Sequence, residues 1–440
     1  MIEKVIFAVA FLATALAQYN LTESPSPQHK VVCYYDTKNK FGMGDTNFSL
    51  VQLGDALQFC THLVYGFAGI NSTSYAATPL SEQFDVTQNH FREVTNLKRR
   101  FPGLRVLLSI GGDHDEPEHA EKYTNLLESI HTRATFIDTA EALVSTYGFD
   151  GIDLAWQFPK NKPKQIDDIL STTWNKLERT IASPTDVDPK HIEYKNQFSD
   201  LVRDLKNKFS PKGYLVAMSV LPNVNSSVFH DVPKLVPYLN FINLWTFDYY
   251  TPQRNPKEAD YSAPLQEMIN RKLDENGRYL VQFWLENGCP KGKLIFGIPT
   301  YSRTWTMTKD SGLSGIPPIE NTRGAGEAGT RTKEKGLLSY EEVCLLLTTP
   351  PLMKKVVDPT GKYGNYAFKL PDSDDKGGIW ISYEDPFTAK QKASYVRGKG
   401  LGGVSLHDLT LDDYKGACGS VTYPMLRAVI SRLDPYSQLD

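Results

Sequence analysis

Near-continuous apolar runs recur along the chain at 30–36, 61–69, 104–112, 148–159, 214–220, 239–248, 293–299 and 401–406. Between several of them apolar residues return every three or four positions, at 50–59, 91–101, 134–147 and 196–209. That is the period of a helix with one buried face. Runs without polar alternation read as strands buried on both sides, and crossover helices between such strands imply a parallel sheet. Eight such units fit a closed (β/α)₈ TIM barrel better than an open sheet.

Two stretches break the rhythm. Residues 160–189 form a polar, Lys- and Asp-rich insert after the fourth strand, longer than an ordinary βα loop. Residues 305–376 are punctuated by Gly and Pro, with a helical segment at 339–346 and an aromatic strand-like piece at 363–368. This predicts a small α+β insertion domain after the seventh strand, the barrel itself occupying 28–304 and 377–440.

The N-terminus changes the setting. Lys4 precedes an apolar run at 5–13, and Ala15-Leu16-Ala17 supplies a small-x-small cleavage pattern. Residues 1–17 read as a secretory signal peptide, and no later segment is long and apolar enough to span a bilayer. Secretion makes the five cysteines, Cys33, Cys60, Cys289, Cys344 and Cys418, candidates for disulfides with one left over. Sequons occur at Asn20, Asn47, Asn71 and Asn225, and Asn225, just after a strand, is the best placed for a glycan. A net charge of −3 gives no reason to expect a nucleic-acid partner.

Chemistry in such barrels sits at the carboxyl ends of the strands. Here those ends offer Tyr35, Asp36, Tyr65, Phe67, Gly111-Gly112-Asp113, Met218, 245–248, Tyr301, Arg303, His407 and Asp408. On the fourth strand Asp153, Ala155 and Gln157 share one face, and Ile152, Leu154 and Trp156 the other. Aromatic rings mixed with carboxyl and amide groups suit a carbohydrate. No metal-ligand spacing and no phosphate loop is present, so neither metal nor cofactor is expected.

Ser109-x-Gly111-Gly112, Phe149-Asp150-Gly151-x-Asp153 with Trp156 and Pro159, Asp248, and Tyr301-x-Arg303 on the seventh strand resemble the chitinases of glycoside hydrolase family eighteen. The resemblance covers almost the whole chain after residue 17. It implies hydrolysis of β-1,4-linked N-acetylglucosamine, with the substrate's own acetamide as nucleophile. That route needs a D-x-x-D-x-D-x-E strand, whose Glu protonates the leaving oxygen. This chain has Asp150-x-x-Asp153-x-Ala155-x-Gln157. An amide has no titratable proton to give, and Ala155 cannot orient the acetamide. Phe247 stands where the family has Tyr, and His407 where it has the Trp that floors the cleavage subsite. Losing the general acid alone removes roughly 10²–10⁴-fold in rate. The expectation is an inactive site, with Asp150 and Asp153 kept as structural acids inside the barrel.

The stretch 154–164 with its long insert, together with 221–227, 251–256 and Val357-Asp358-Pro359-Thr360, is similar to the insect imaginal disc growth factors. The resemblance implies a secreted, non-enzymatic protein that promotes cell proliferation, polarisation and motility alongside insulin-like signals. It also implies disulfides Cys33–Cys60 and Cys344–Cys418, a glycan at Asn225 and an unpaired Cys289. The expected partner is a cell-surface receptor that the sequence does not identify, for a monomeric chain without nucleic acid or membrane span. A catalytically dead, glycan-binding lectin with a weak carbohydrate ligand is the alternative reading. The Lys160/Lys162/Lys164 cluster reads as a solvated loop face, with a sulfated glycan or an acidic receptor as the sharper alternative. The insert is expected to narrow or cover the sugar groove.

Overall fold

The fold was obtained as a computed structural model, which describes residues 29–38, 48–112, 115, 120–159, 187–350 and 353–434. The expected signal peptide, the sequons Asn20 and Asn47, the Lys160/Lys162/Lys164 cluster and most of the 160–189 insert lie outside these residues.

Eight parallel strands close into a ring: Lys30–Asp36, His62–Ile70, Arg105–Gly111, Gly151–Ala155, Leu215–Val220, Phe241–Leu244, Leu294–Pro299 and Gly403–His407. Val32 to Asp36 pair with His62 to Gly66, and Lys30 to Cys33 with Gly403 to Leu406, which closes the barrel. Each apolar run of the sequence therefore becomes one barrel strand. The long run at 148–159 is strand only over its centre, because the chain must leave the sheet after Ala155 to reach the mouth.

Helices form where the capping chemistry agrees with the apolar period. Helix Ile130–Tyr147 starts at Ser129, whose hydroxyl accepts from His131 N, and stops at Gly148, which has φ 78°. Helix Pro386–Lys399 has an Asp385/Thr388 capping box, Pro at its start and Gly400 at its end. Helix His191–Phe209 starts earlier than its apolar residues suggest, because its first turn is polar and largely solvated.

The insertion is a five-stranded antiparallel sheet ordered Leu337–Ser339, Tyr301–Thr306, Ile379–Tyr383, Asn365–Lys369 and Lys354–Val356, with helix Tyr340–Thr348. It has its own core of Trp305, Met307, Tyr366, Phe368 and Trp380. Its first strand begins at Tyr301 and its last ends at Tyr383, beyond the 305–376 bounds read from sequence. Tyr301 and Arg303 thus belong to the insertion sheet and not to the seventh barrel strand, which ends at Pro299. The cause is local: the chain stays extended through Thr300, so one apolar pattern runs across two sheets.

Cys33 is bonded to Cys60 and Cys344 to Cys418, while Cys289 is buried and unpaired. The second bridge ties the insertion helix to the segment after the eighth strand. Burial pushes the Cys289 thiol up to about 12, so it is an inert core group. Among the described residues no helix is long and apolar enough to cross a membrane.

Candidate functional site: the carboxyl-terminal mouth of the barrel

Asp153 lies on the barrel axis with no exposed surface. Four strands supply its partners. Tyr34 Oη, Ser109 Oγ and Ser219 Oγ donate to Asp153 Oδ2 at 3.0, 2.9 and 2.8 Å. Asn243 Nδ2 donates to Oδ1 at 3.2 Å and to Tyr34 Oη at 2.9 Å. Burial raises the Asp153 pKa, and the Ser219, Ser109, Tyr34 and Asn243 hydrogen bonds oppose it. Asp153 is a structural hub. The lone Asn243 within Phe241–Leu244, an amide in a buried strand, was the signal that could have located this network.

Asp150 is elsewhere. It sits at the amino end of its strand, where Oδ2 accepts from Val106 N at 2.7 Å. Its carboxylate lies 3.1 Å from Lys98 Nζ and 3.6 Å from an Arg105 guanidinium nitrogen. It is neither inside the barrel nor at the mouth, contrary to its placement beside Asp153 in the sequence motif. The strand separates the two acids, because Asp150 precedes the pleat that turns Asp153 inward.

At the carboxyl end, Ala155 is fully buried and its carbonyl accepts from Gly112 N at 2.8 Å. Gln157 follows, nearly buried, and its Nε2 donates to Gly112 O at 2.5 Å and approaches Asp115 O at 3.5 Å. Asp115 is itself anchored: Lys122 Nζ donates to Oδ1 at 2.7 Å, while Tyr123 Oη and Ile70 N donate to Oδ2 at 2.5 and 3.0 Å. The amide of Gln157 therefore staples the end of the fourth strand to the loop after the third. Sequence reasoning missed Asp115, Lys122 and Tyr123, since a Glu-Lys-Tyr triplet looks like any helix start facing water.

The centre of the mouth is filled by rings. His407 stacks on Tyr34 at 4.0 Å between centroids and lies 4.7 Å from Phe247 and 4.8 Å from Trp245. Trp245 stacks on Phe247 at 5.5 Å and meets Phe67 at 6.4 Å. His407 Nε2 pairs with Ser405 Oγ at 3.0 Å, and burial drives its pKa well below the usual value, so it stays neutral.

Asp248 faces a different fate. Burial would raise its pKa, but Arg303, Tyr301 and Arg254 outweigh burial and hold the carboxyl below its ordinary range. Arg303 Nε donates to Oδ1 and its terminal nitrogen to Oδ2, both at 2.7 Å, and Tyr301 Oη donates to Oδ2 at 2.7 Å. A carboxylate clamped by a guanidinium fork is a poor proton donor. Asp408, at the end of the eighth strand, is pushed up to about 7 by burial and by Asp36. The eighth strand is opposite the fourth in the ring, so Asp408 cannot take the place of a side chain at position 157. Among the described residues no cluster of His, Cys, Asp and Glu could hold a metal ion.

Of the sequons within the structure, Asn225 is half-buried and caps helix Ser226–Phe229, its Oδ1 accepting from Ser227 N at 3.0 Å. Asn71 is exposed in a turn, where Oδ1 accepts from Thr73 N and Ser74 N.

This architecture has known relatives. The model of the glycosyl hydrolases family 18 matches residues 30–412. The chitinase-like protein Idgf4 of Glossina morsitans morsitans is 46% identical over 421 residues, covering 93% of this chain and 95% of the relative. Imaginal disk growth factor 6 of Drosophila melanogaster is 43% identical, covering 98% of this chain and 99% of that one. Among solved structures, catalytic domain 2 of the Ostrinia furnacalis Group II chitinase superposes with a TM-score of 0.77 at 29% identity, covering 92% of this chain and 96% of its own. The chain therefore belongs to glycosyl hydrolase family 18 and, within it, to the imaginal disc growth factor group of chitinase-like proteins.

Proposed function

We propose that this chain is a secreted, catalytically inactive chitinase-like protein that acts as a growth factor on a cell-surface receptor, in concert with insulin-like signals. One observation carries the loss of chemistry. The side chain where the family's strand motif calls for a general acid is Gln157, and its amide is spent on the Gly112 carbonyl. The position two residues earlier is Ala155, which offers no carboxylate to steady an acetamide. Among the described residues, Asp153 is sequestered in the core, Asp248 is clamped by Arg303, and Asp408 lies across the ring. Two disulfides agree with an oxidising, extracellular compartment. A relative's name, Imaginal disk growth factor 6, supports the signalling part of the reading.

The test is addition of the purified protein to cultured insect cells with and without insulin, counting divisions, alongside release of a fluorogenic chitobioside. A rise in divisions with no chitobioside release is expected; measurable turnover by the purified protein would overturn the reading. A glycan-binding lectin without turnover is the second reading, favoured by Trp245 and Phe67 at the mouth. Retention on a chitin column separates it from the first.

A further inference from the structure

The barrel mouth is not the only concave surface. At the amino-terminal pole lies a cavity of about 320 Å³, lined by Arg92, Thr95, Asn96, Lys98, Arg99 and Tyr147. It is formed where helix His90–Thr95 with its extension Asn96–Arg99 meets the end of helix Ile130–Tyr147. Both helices finish here, and helix C-termini carry partial negative charge that attracts cations. That ordinary explanation must be subtracted first.

It accounts for Lys98 and Thr95. Lys98 Nζ donates to Gly148 O at 2.7 Å and lies 3.1 Å from the Asp150 carboxylate, and Thr95 Oγ1 donates to Tyr147 O at 2.7 Å. The helix ends are satisfied by these contacts. Arg92 and Arg99 are left over. Both are exposed, and among the described residues neither forms an ion pair. The Arg92 guanidinium lies 5.5 Å from the centre of the Tyr147 ring, which steadies it on the cavity wall without using its N–H groups. Arg100 and Arg105 lie outside this lining, Arg100 beside Gly54 and Arg105 on the Asp150 carboxylate. Of the acids nearby, Asp150 is shared by Lys98 and Arg105, while the exposed Glu93 lies 3.2 Å from the His90 ring. A chain with net charge −3 thus places three cations, Arg92, Lys98 and Arg99, around one hollow.

Guanidinium forks match the oxygen spacing of tetrahedral oxyanions and hold them through charge-assisted hydrogen bonds. The volume falls at the small end of ligand pockets, large enough for one sulfated sugar unit. The disulfides indicate an oxidising compartment, where sulfate esters on extracellular polysaccharides are the abundant polyanion and nucleic acids are not. We propose that this cavity is a sulfate-binding subsite, which docks the protein on a sulfated glycan with one sulfate held between Arg92 and Arg99. The site shares no residue with the barrel mouth, so it stands or falls independently of the catalytic reading.

The experiment measures binding of a defined heparin oligosaccharide to the full chain by titration calorimetry near physiological salt. Three variants are compared with the parent: Arg92→Ala with Arg99→Ala, Lys354→Ala with Lys355→Ala, and Lys160→Ala with Lys162→Ala and Lys164→Ala. The second pair is exposed on the insertion sheet and serves as a charge-matched control. The arginine pair is exposed, so its loss leaves the fold intact, which an unchanged melting curve verifies. Binding about tenfold or more weaker in the arginine variant, with both lysine variants within about twofold of the parent, is the expected result. Inorganic sulfate should compete, and fully desulfated heparin should not bind. Equal weakening in all variants, weakening confined to either lysine variant, or undiminished binding of desulfated heparin would each overturn the proposal. So would anionic phosphatidylserine vesicles binding through the arginine pair while heparin does not.

Discussion

At the scale of single residues, the decisive feature of the mouth is the direction of one hydrogen bond. Gln157 donates a hydrogen bond to Gly112 O, with Asp115 O also within reach, and a glutamate there could do the same only if protonated. Gln157→Glu should therefore carry a carboxyl whose pKa is raised. The variant is expected to lose about 1–3 kcal/mol of stability at pH 8, where an anion would face carbonyl oxygens, and much less at pH 5. Thermal melts at the two pH values check this, and an equal loss at both would contradict it. Asp408 carries a pH dependence in the same direction. Its folded-state pKa is pushed to about 7, above the ordinary carboxylate value of 3.8. The folded state therefore keeps a proton that the unfolded state has lost over that window, and stability falls as pH rises through it. Asn can accept the hydrogen bonds from Thr410 N, Thr410 Oγ1 and Leu411 N that now reach Asp408 Oδ1. Asp408→Asn should raise the melting temperature at pH 8 by roughly 2 °C or more, by less at pH 5, and leave it nearly unchanged only below the ordinary carboxylate value.

At the scale of elements, the strands that make the barrel were readable because burial on both faces leaves an uninterrupted apolar run. What the pattern could not give was the third dimension of its polar interruptions. Asp150 and Asp153 are adjacent in the motif, yet one holds Lys98 at the amino end while the other is enclosed by Tyr34, Ser109, Ser219 and Asn243. Arg92 and Arg99 read as solvated helix residues until two helix ends bring them round one cavity. Tyr301 and Arg303 continue an extended stretch, so sequence placed them one sheet too early. The strand starts carry a requirement of their own. Gly151 has φ 153°, and an added Cβ would run into the Leu215 backbone of the next strand. Gly151→Ala should cost about 3 kcal/mol through backbone strain and overpacking, read as a fall in soluble yield and melting temperature. The bridge from helix Tyr340–Thr348 to Cys418 closes a sequence separation of 74 residues. Replacing Cys344 and Cys418 by Ser should destabilise by about 4 kcal/mol on the chain-entropy account, measured by denaturant unfolding without reductant.

At the scale of the whole molecule, the barrel is that of glycosyl hydrolase family 18, and the described side chains of its mouth pack on one another. Rings of Tyr34, Phe67, Trp245, Phe247 and His407 touch one another across the centre, and Asp153 holds strands together from the inside. If the signal is carried by the outer surface, changes at the mouth should leave it intact. The triple variant Ala155→Asp, Gln157→Glu, Phe247→Tyr tests both halves of this argument in one protein. It returns the strand motif's carboxylates and the phenol, but His407 still stacks on Tyr34 at 4.0 Å where the family has a tryptophan floor. The new acid at 157 still meets the Gly112 carbonyl, and the new carboxylate at 155 enters a position with no exposed surface. Chitobioside release is therefore expected to remain at background. The proliferative response of insulin-treated cells should stay within about twofold of the parent, since no residue on the outer face has changed. A variant that gained turnover would show that the mouth still accepts substrate. One that folded normally yet lost the cellular response would place the signal in the barrel mouth and not on the surface.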